Sequence, residues 1–359
     1  MTATTHPEFN AETEALDVAK AFPDAIRGKT ILVTGVNLKG IGFATAQAFA
    51  SQAPASCILA GRTKTKLQEC IEELKKVYPN VDYRPLILDL GSQKAVRSAA
   101  QEVLSWNDVP RIHILVNNAG LATIPERTLT EDGIEMTFAT NHIGHFLFTC
   151  LIMPKLIEAA KANPKGATRI VNVSSRAAEG GGIRWSDVNF NKKSRELPEV
   201  EQPNYKLLEM WGIHNGADLS YIPLEAYTQS KAAGILFGIG LTKMLYEKYG
   251  ILSLAIHPGI INTELARYST KEQMDAIKAR ERSGLIKYKT LGQGAATSLV
   301  AALDPKLGFS ETHDGKEGYG AYLVDCQISQ NAHPRAKSSE EAEKLWKLSE
   351  DLVGEKFSW

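Results

Sequence analysis

Lys29-Thr-Ile-Leu-Val-Thr-Gly35-Val36-Asn37-Leu38-Lys39-Gly40-Ile41-Gly42 decides the fold. Its first half reads as a buried strand. Its second half is a glycine turn, and a helix follows from Phe43 to Ser51. Strand, glycine turn and helix in that order form the context of a dinucleotide phosphate site. Glycines let the backbone approach a pyrophosphate, and the helix N-terminus offers amide donors and partial positive charge. An ordinary glycine-rich strand–helix turn has the same look, so the neighbours of the motif carry the argument.

The next strand, Ser56–Ala60, runs into Gly61 and Arg62. An acidic residue at this place would hold the ribose hydroxyls of NAD. None is present. Arg62 and Lys39 are suited instead to the extra phosphate of NADP(H), or are solvated surface charges. Lys64–Val77 has Leu67, Ile71 and Leu74 at helical spacing. A third strand, Tyr83–Leu88, ends in Asp89-Leu90. Asp89 either accepts from an adenine amino group or caps a helix starting at Ser92.

Ile112-His-Ile-Leu-Val-Asn117-Asn118-Ala119-Gly120 reads as a fourth buried strand breaking into small and amide residues, which leave room for a flat ring. Asn141 lies in an apolar helical stretch, where its amide must find partners; strand pairing and a proton relay both answer that need. A fifth strand, Arg169–Val173, delivers Ser174 and Ser175 to its C-terminal edge, where open parallel sheets bind ligands. Tyr227 and Lys231 begin a long helix running towards Tyr249. Residues four apart lie one above the other on a helix, so the two side chains share a small volume. A free tyrosine has a pKa of about 10. A neighbouring ammonium pulls it down and fits the phenol for proton exchange with a carbonyl or alcohol. Such a pair also arises by chance on exposed helices.

These motifs together resemble the short-chain dehydrogenase/reductase family over about Lys29 to Asp325. Thr34-Gly35…Gly40-Ile41-Gly42 resembles its cofactor loop, Asn117–Gly120 its sheet-centre motif, and Asn141, Ser175, Tyr227 and Lys231 its catalytic tetrad. Pro258, Gly259 and Thr263 resemble the loop that holds the nicotinamide. Asn141–Phe146, Trp185–Phe190 and Leu345–Ser349 resemble the retinol-dehydrogenase-like branch, including its fungal relatives.

The resemblance implies a Rossmann-type, doubly wound parallel α/β sheet of about seven strands with helices on both faces. It implies NADP(H)-dependent hydride transfer between a carbonyl and an alcohol, with Tyr227 as proton donor and Ser175 positioning the oxygen. Lys231 would favour the phenolate, and Asn141 would hold a water linking Lys231 to solvent. The implied cofactor contacts are Gly35, Asn37, Leu38, Lys39, Gly40 and Ile41, then Arg62, Asp89, Leu90, Asn118, Ala119 and Gly120. Tyr227, Lys231, Pro258, Gly259, Ile261 and Thr263 complete the set. Four residues separate Gly35 from Gly40 where the family usually has three, which predicts a bulge and blurs which of Asn37, Leu38 and Lys39 meets the phosphates.

The remaining sequence sets the frame. The chain has 359 residues, 43% of them hydrophobic, and equal numbers, 41 each, of basic and acidic side chains. That balance gives no sign of nucleic-acid binding. The cysteines at 57, 70, 150 and 326 show neither zinc nor disulfide spacing, which suits a reduced, cytoplasmic setting. No signal peptide and no membrane-spanning stretch is expected. The predicted organisation is a helical extension over 1–28, a dehydrogenase/reductase domain over 29–330 and a helical tail over 331–359. Within the domain, the insert 180–222 carries Trp185, Phe190, Tyr205, Leu208, Met210 and Trp211, either as a lid over an apolar substrate or packed on the domain edge or a second subunit. A homodimer is therefore an open expectation. Metal is not expected, since His113, His142, His145 and His257 lack ligand spacing and read as packed core residues. Two rival functions stand beside the reductase: a catalytically silent dinucleotide sensor or scaffold, and a sugar-nucleotide epimerase with a similar Tyr/Lys pair.

Overall fold

A computed structural model describes residues 4–268, 271–284, 286–308, 311–313, 316–319 and 322–359. Six parallel strands form the body of the sheet: β1 (Thr30–Thr34), β2 (Ser56–Gly61), β3 (Asp82–Ile87), β4 (Ile114–Asn117), β5 (Thr168–Val173) and β6 (Ile251–His257). Beyond a small antiparallel hairpin of β7 (Glu311–His313) and β8 (Lys316–Tyr319), β9 (Tyr322–Val324) adds in parallel to β6. β10 (Gln327–Ser329) turns back antiparallel at the edge. The order is β10-β9-β6-β5-β4-β1-β2-β3, so the winding reverses between β1 and β4. A ligand crevice opens at such a reversal, at the carboxyl ends of the strands.

Eight strands stand where about seven were expected, and the tail of the sheet is the reason. Gly318-Tyr-Gly-Ala-Tyr-Leu-Val324 reads in sequence as one last strand, but it is shared between two strands in two sheets, β8 and β9; residues 320 and 321 lie outside the described residues. Asp325 and Cys326 both take positive φ, 50° and 66°. That pair of left-handed residues reverses the chain in two steps and sends β10 back along β9. Pro85 is tolerated inside β3 because β3 is an edge strand, where a missing donor costs little.

Helices cover both faces. On one lie α1 (Ala15–Ala21), α2 (Ile41–Ala50), α3 (Lys64–Val77) and, later in the chain, a Leu291–Leu303 helix; Val18, Phe49, Leu67 and Leu299 meet in their shared core. On the other lie α4 (Gln93–Ser105), the short α5 (Met136–Phe138), α6 (Gly144–Ala160), α7 (Tyr205–Met210) in the insert, and α8 (Pro223–Tyr249). The remaining helices are α9 (Lys271–Arg282), α10, which is the Leu291–Leu303 helix, and α11 (Ser339–Val353). α11 packs on α8: Leu345 is buried, and Trp346 meets the Phe146 ring edge-on at 4.9 Å.

Two expectations shift. Residues 10–22 read in sequence as a short helix starting at Asn10 or Thr13; α1 instead starts at Ala15, because Thr13 Oγ1 accepts from the Asn10 amide at 2.8 Å and Asn10 Oδ1 from the Glu12 amide at 2.9 Å. Such local side-chain bonds compete with helix formation. The expectation of no stretch of spanning length also needs correction. Met136–Ala160 is 25 residues long and apolar enough to cross a membrane by length and composition, yet 78% of its most apolar window is buried inside the molecule.

Candidate active site

The glycine loop is built for close approach. Gly35 has φ +72°, and a Cβ there would sit 2.5 Å from Ala119 Cα. Only glycine lets the loops after β1 and β4 touch. At Gly42 a Cβ would meet Asn118 Nδ2 at 2.7 Å, and Asn118 Nδ2 itself donates to the Thr34 carbonyl at 2.7 Å. The extra residue of the loop is taken up by a turn in which the Gly40 amide donates to the Asn37 carbonyl at 2.9 Å. Gly40 then caps α2 with extended backbone and leaves the first helical amides facing the crevice.

That crevice is one cleft. Gly35, Asn37, Gly40 and Ile41 line it from the glycine loop, and Arg62 and Leu90 from the ends of the next strands. Asn118, Ala119 and Gly120 line it from the sheet centre, and Tyr227, Lys231, Pro258 and Thr263 close the far side. Five expected contacts lie elsewhere. Leu38 and Lys39 are exposed outside the lining, carried outward by the Asn37–Gly40 turn. Asp89 spends Oδ1 on the Gly91 amide at 3.0 Å; it does not cap α4, whose cap is Ser92. Gly259 has φ +98° against Lys289, and Ile261 packs beneath Gly294 of α10. Thr140 and Lys66 line the cleft without having been singled out from the sequence, whereas Glu264 and Arg267 belong to Glu264–Lys289, a segment that reads in sequence as a second candidate wall of the site. Lys66 had a signal, a second cation four residues after Arg62. Arg267 had only the segment-level signal, because the turn that brings it to the cleft is set by tertiary structure.

The four tetrad residues converge from three elements, Tyr227 and Lys231 sharing α8. Ser175 follows β5, and its side chain hydrogen-bonds the Tyr227 phenol. Lys231 is buried, one turn along α8, with Nζ 5.6 Å from the Tyr227 ring centre and donating to the Val173 carbonyl at 2.8 Å. Ser174 fixes that turn of α8 to the sheet by donating to the Lys231 carbonyl at 2.7 Å. Asn141 sits in a π-helical turn, Ala139–Ile143, between α5 and α6. π-turns inside helices are frequent at functional sites. Its Oδ1 accepts from the Leu121 amide at 2.7 Å, while Nδ2 donates to the Leu121 carbonyl and to Ser230 Oγ, both at 2.9 Å. The side chain thus pins the loop after β4 to the Tyr/Lys helix, a structural duty additional to the expected relay.

The electrostatics differ from expectation in one respect. Burial pushes the Tyr227 phenol above its ordinary value, with the Ser175 hydrogen bond acting the other way. Burial also pulls Lys231 down to about 8. Desolvation disfavours the charged form of each group, and here it outweighs the pull of a nearby cation on the phenol.

The insert packs mainly on the domain edge. Phe190 is buried beneath the Arg184 guanidinium at 4.5 Å, Leu208 is buried, and Trp185 Nε1 donates to Glu341 at 2.7 Å. Its outer part faces α9: Arg280 stacks on Trp211 at 3.7 Å and donates to the Met210 carbonyl at 2.8 Å.

Residues 29–187 match the family model described as short chain dehydrogenase. Oxidoreductase fscI of Fusarium equiseti is 38% identical over 70% of this chain and 94% of its own. Human retinol dehydrogenase 12 is 33% identical over 91% of this chain and 87% of its own. Among solved structures, an uncharacterised protein of Mycobacterium paratuberculosis superposes with TM-score 0.62 at 25% identity, covering 95% of this chain and 98% of that one.

Proposed function

Because the chain belongs to the short chain dehydrogenase family, on its retinol-dehydrogenase-like side, we propose that it interconverts a carbonyl and an alcohol on an apolar small molecule with NADP(H) as hydride partner. The observation that carries this reading is the shared cleft: Tyr227 and Lys231 face the space framed by Gly35 and Gly40, with Ser175 bonded to the phenol.

The residues fit a dinucleotide. A Cβ at Gly35 would force apart the loops that frame the cradle, one at Gly40 would press on the Asn37 side chain at 2.7 Å, and Asn37 Oδ1 is a buried acceptor without a partner among the described residues, suited to a hydroxyl or amide donor. Arg62, Lys66 and Arg267 line the cleft together, and Glu264, the one carboxylate among the described lining residues, is 3.4 Å from Lys66. That balance of charge supports NADP(H) over NAD(H). The cofactor, when bound, supplies or accepts the hydride.

The chain's own residues handle the proton and the alignment. In the reducing direction Tyr227 gives its phenolic proton to the substrate oxygen, and Ser175 hydrogen-bonds that oxygen and fixes its angle. The Lys231 ammonium stabilises the phenolate left behind. Asn141 keeps Leu121 and Ser230 in register around the reacting centre. Oxidation runs the same contacts backwards.

The apolar substrate is supported by the retinol dehydrogenase relatives. NADPH absorbance followed with a panel of aldehydes, ketones and retinoid-like carbonyls tests the reading. Net oxidation with at least one compound supports it. Product without net oxidation would make the protein an epimerase, and NADPH binding without product a sensor.

A further inference from the structure

His145 lies in the first turn of α6, is 3% exposed, and has no part in the proton transfer described above. Its Nδ1 is 3.0 Å from the Asn141 carbonyl, and its Nε2 is 2.9 Å from Thr34 Oγ1. A carbonyl only accepts, so the ring proton is on Nδ1. Thr34 Oγ1 accepts the amides of Asn118 at 2.9 Å and Ala119 at 3.0 Å, so its own proton must go to a further acceptor. His145 Nε2 is the nearer one; the Val116 carbonyl is at 3.5 Å. The two contacts select a single neutral tautomer, an assignment that rests on partner chemistry. Burial agrees, holding the imidazole pKa at about 4.

These bonds complete a continuous path across the site. Thr34 ends β1 at the mouth of the glycine loop. Asn118 and Ala119 line the same cleft. From Asn141 the path continues through Nδ2 to Ser230 Oγ, which donates to the Tyr227 carbonyl at 2.8 Å. His145 is the link between the cofactor side and the Tyr227 side. The π-helical turn makes room for it, since its wider pitch shifts the backbone ladder and leaves the Asn141 carbonyl within reach of a side chain four residues on.

We infer that His145 is a positioning residue of the proposed hydride-transfer site, whose neutral Nδ1–H tautomer holds the Thr34–Ala119 loops and the Asn141–Ser230–Tyr227 bracket in one register. The inference rests on the reductase reading for its kinetic consequences only. A histidine that merely fills space would be replaceable by a ring of similar size. A histidine that couples two loops needs a donor and an acceptor, which His145→Gln can restore in part and His145→Phe cannot.

The test compares the wild-type protein with both variants in three measurements: kcat with NADPH and an active carbonyl, NADPH affinity by fluorescence, and thermal melting. His145→Phe is expected to lower kcat at least tenfold and weaken NADPH binding at least threefold, while His145→Gln recovers much of both at an equal or lower melting temperature. Full kinetic competence of His145→Phe, or equal losses in the two variants that follow the melting temperature, would overturn the inference. Nitrogen-15 NMR of the wild-type imidazole is independent of variant folding. A proton on Nδ1 and a bare Nε2 from pH 5 to 8 is expected, and the opposite tautomer or an imidazolium would contradict it. Wild-type protein that oxidises NADPH with no carbonyl sinks the reductase reading, while the tautomer and NADPH-affinity measurements still decide the role of His145.

Discussion

Lys231 places its ammonium 5.6 Å from the centre of the Tyr227 ring, one helical turn away on α8. Burial shifts the two groups in opposite directions, the phenol up and the amine down to about 8. The amine therefore loses its proton within the range of an ordinary pH profile. Below about pH 8 it is charged and stabilises the phenolate formed when Tyr227 gives up its proton; above, it is neutral. Carbonyl reduction should fall as pH rises through this value. Lys231→Met should lose that limb and lower kcat by about a hundredfold or more. A wild-type profile flat to pH 10 would count against the role. The same shift has a stability sign. The folded value lies below the ordinary lysine value of 10.5, so between about 8 and 10.5 the unfolded chain holds more protons, and this group's contribution to stability rises with pH.

Asn141 has every side-chain donor committed, to Leu121 and Ser230. Asn141→Ala leaves the buried Leu121 amide and the Ser230 hydroxyl short of partners, at a cost of about 1–3 kcal/mol for a stranded group. A lower urea midpoint is expected, together with reduced kcat. An unchanged midpoint would mean that the amide does not pin the loop.

Gly35 tolerates no side chain. Its φ of +72° is strained for other residues, and a Cβ would lie 2.5 Å from Ala119 Cα. Gly35→Ala should push the two loops apart and weaken NADPH binding by about tenfold or more, roughly 1.4 kcal/mol. Calorimetric titration measures this directly, and wild-type affinity would show that the loops can separate without closing the cleft.

Arg62 lines the cleft, whereas Lys39 is exposed outside it. Arg62→Asp should weaken NADPH much more than NADH, because the phosphate dianion loses its fork of donors. Lys39→Ala should change neither affinity more than twofold. Equal losses for the two cofactors in Arg62→Asp would remove the phosphate role.

The sequence was most readable where local chemistry acts alone. The run Thr30–Thr34 is apolar enough to be buried throughout, and the helix Lys64–Val77 has its apolar residues at helical spacing, so both stand where periodicity puts them. The placement of Tyr227 beside Lys231 was visible because helical spacing pairs them, and that of Ser175 because it follows a strand at its carboxyl end. What was hidden depends on tertiary contacts. The extra edge strand β10 follows from a reversal at Asp325-Cys326, a pair without the glycine that usually announces such a turn. The π-turn around Asn141 looks like ordinary helix in sequence. His145 read as packing because its partner Thr34 lies 111 residues away in the chain and the Asn141 carbonyl it bonds belongs to a turn that looks like ordinary helix.

The account depends most on the proton donor at the centre of the cleft. The direct measurement is single-turnover reduction by Tyr227→Phe with an active carbonyl, run beside NADPH binding on the same sample. The predicted result is hydride transfer slowed by about a thousandfold with NADPH affinity within threefold of wild type. Near wild-type turnover in that variant would contradict the assignment of Tyr227, and with it the reaction proposed for this cleft.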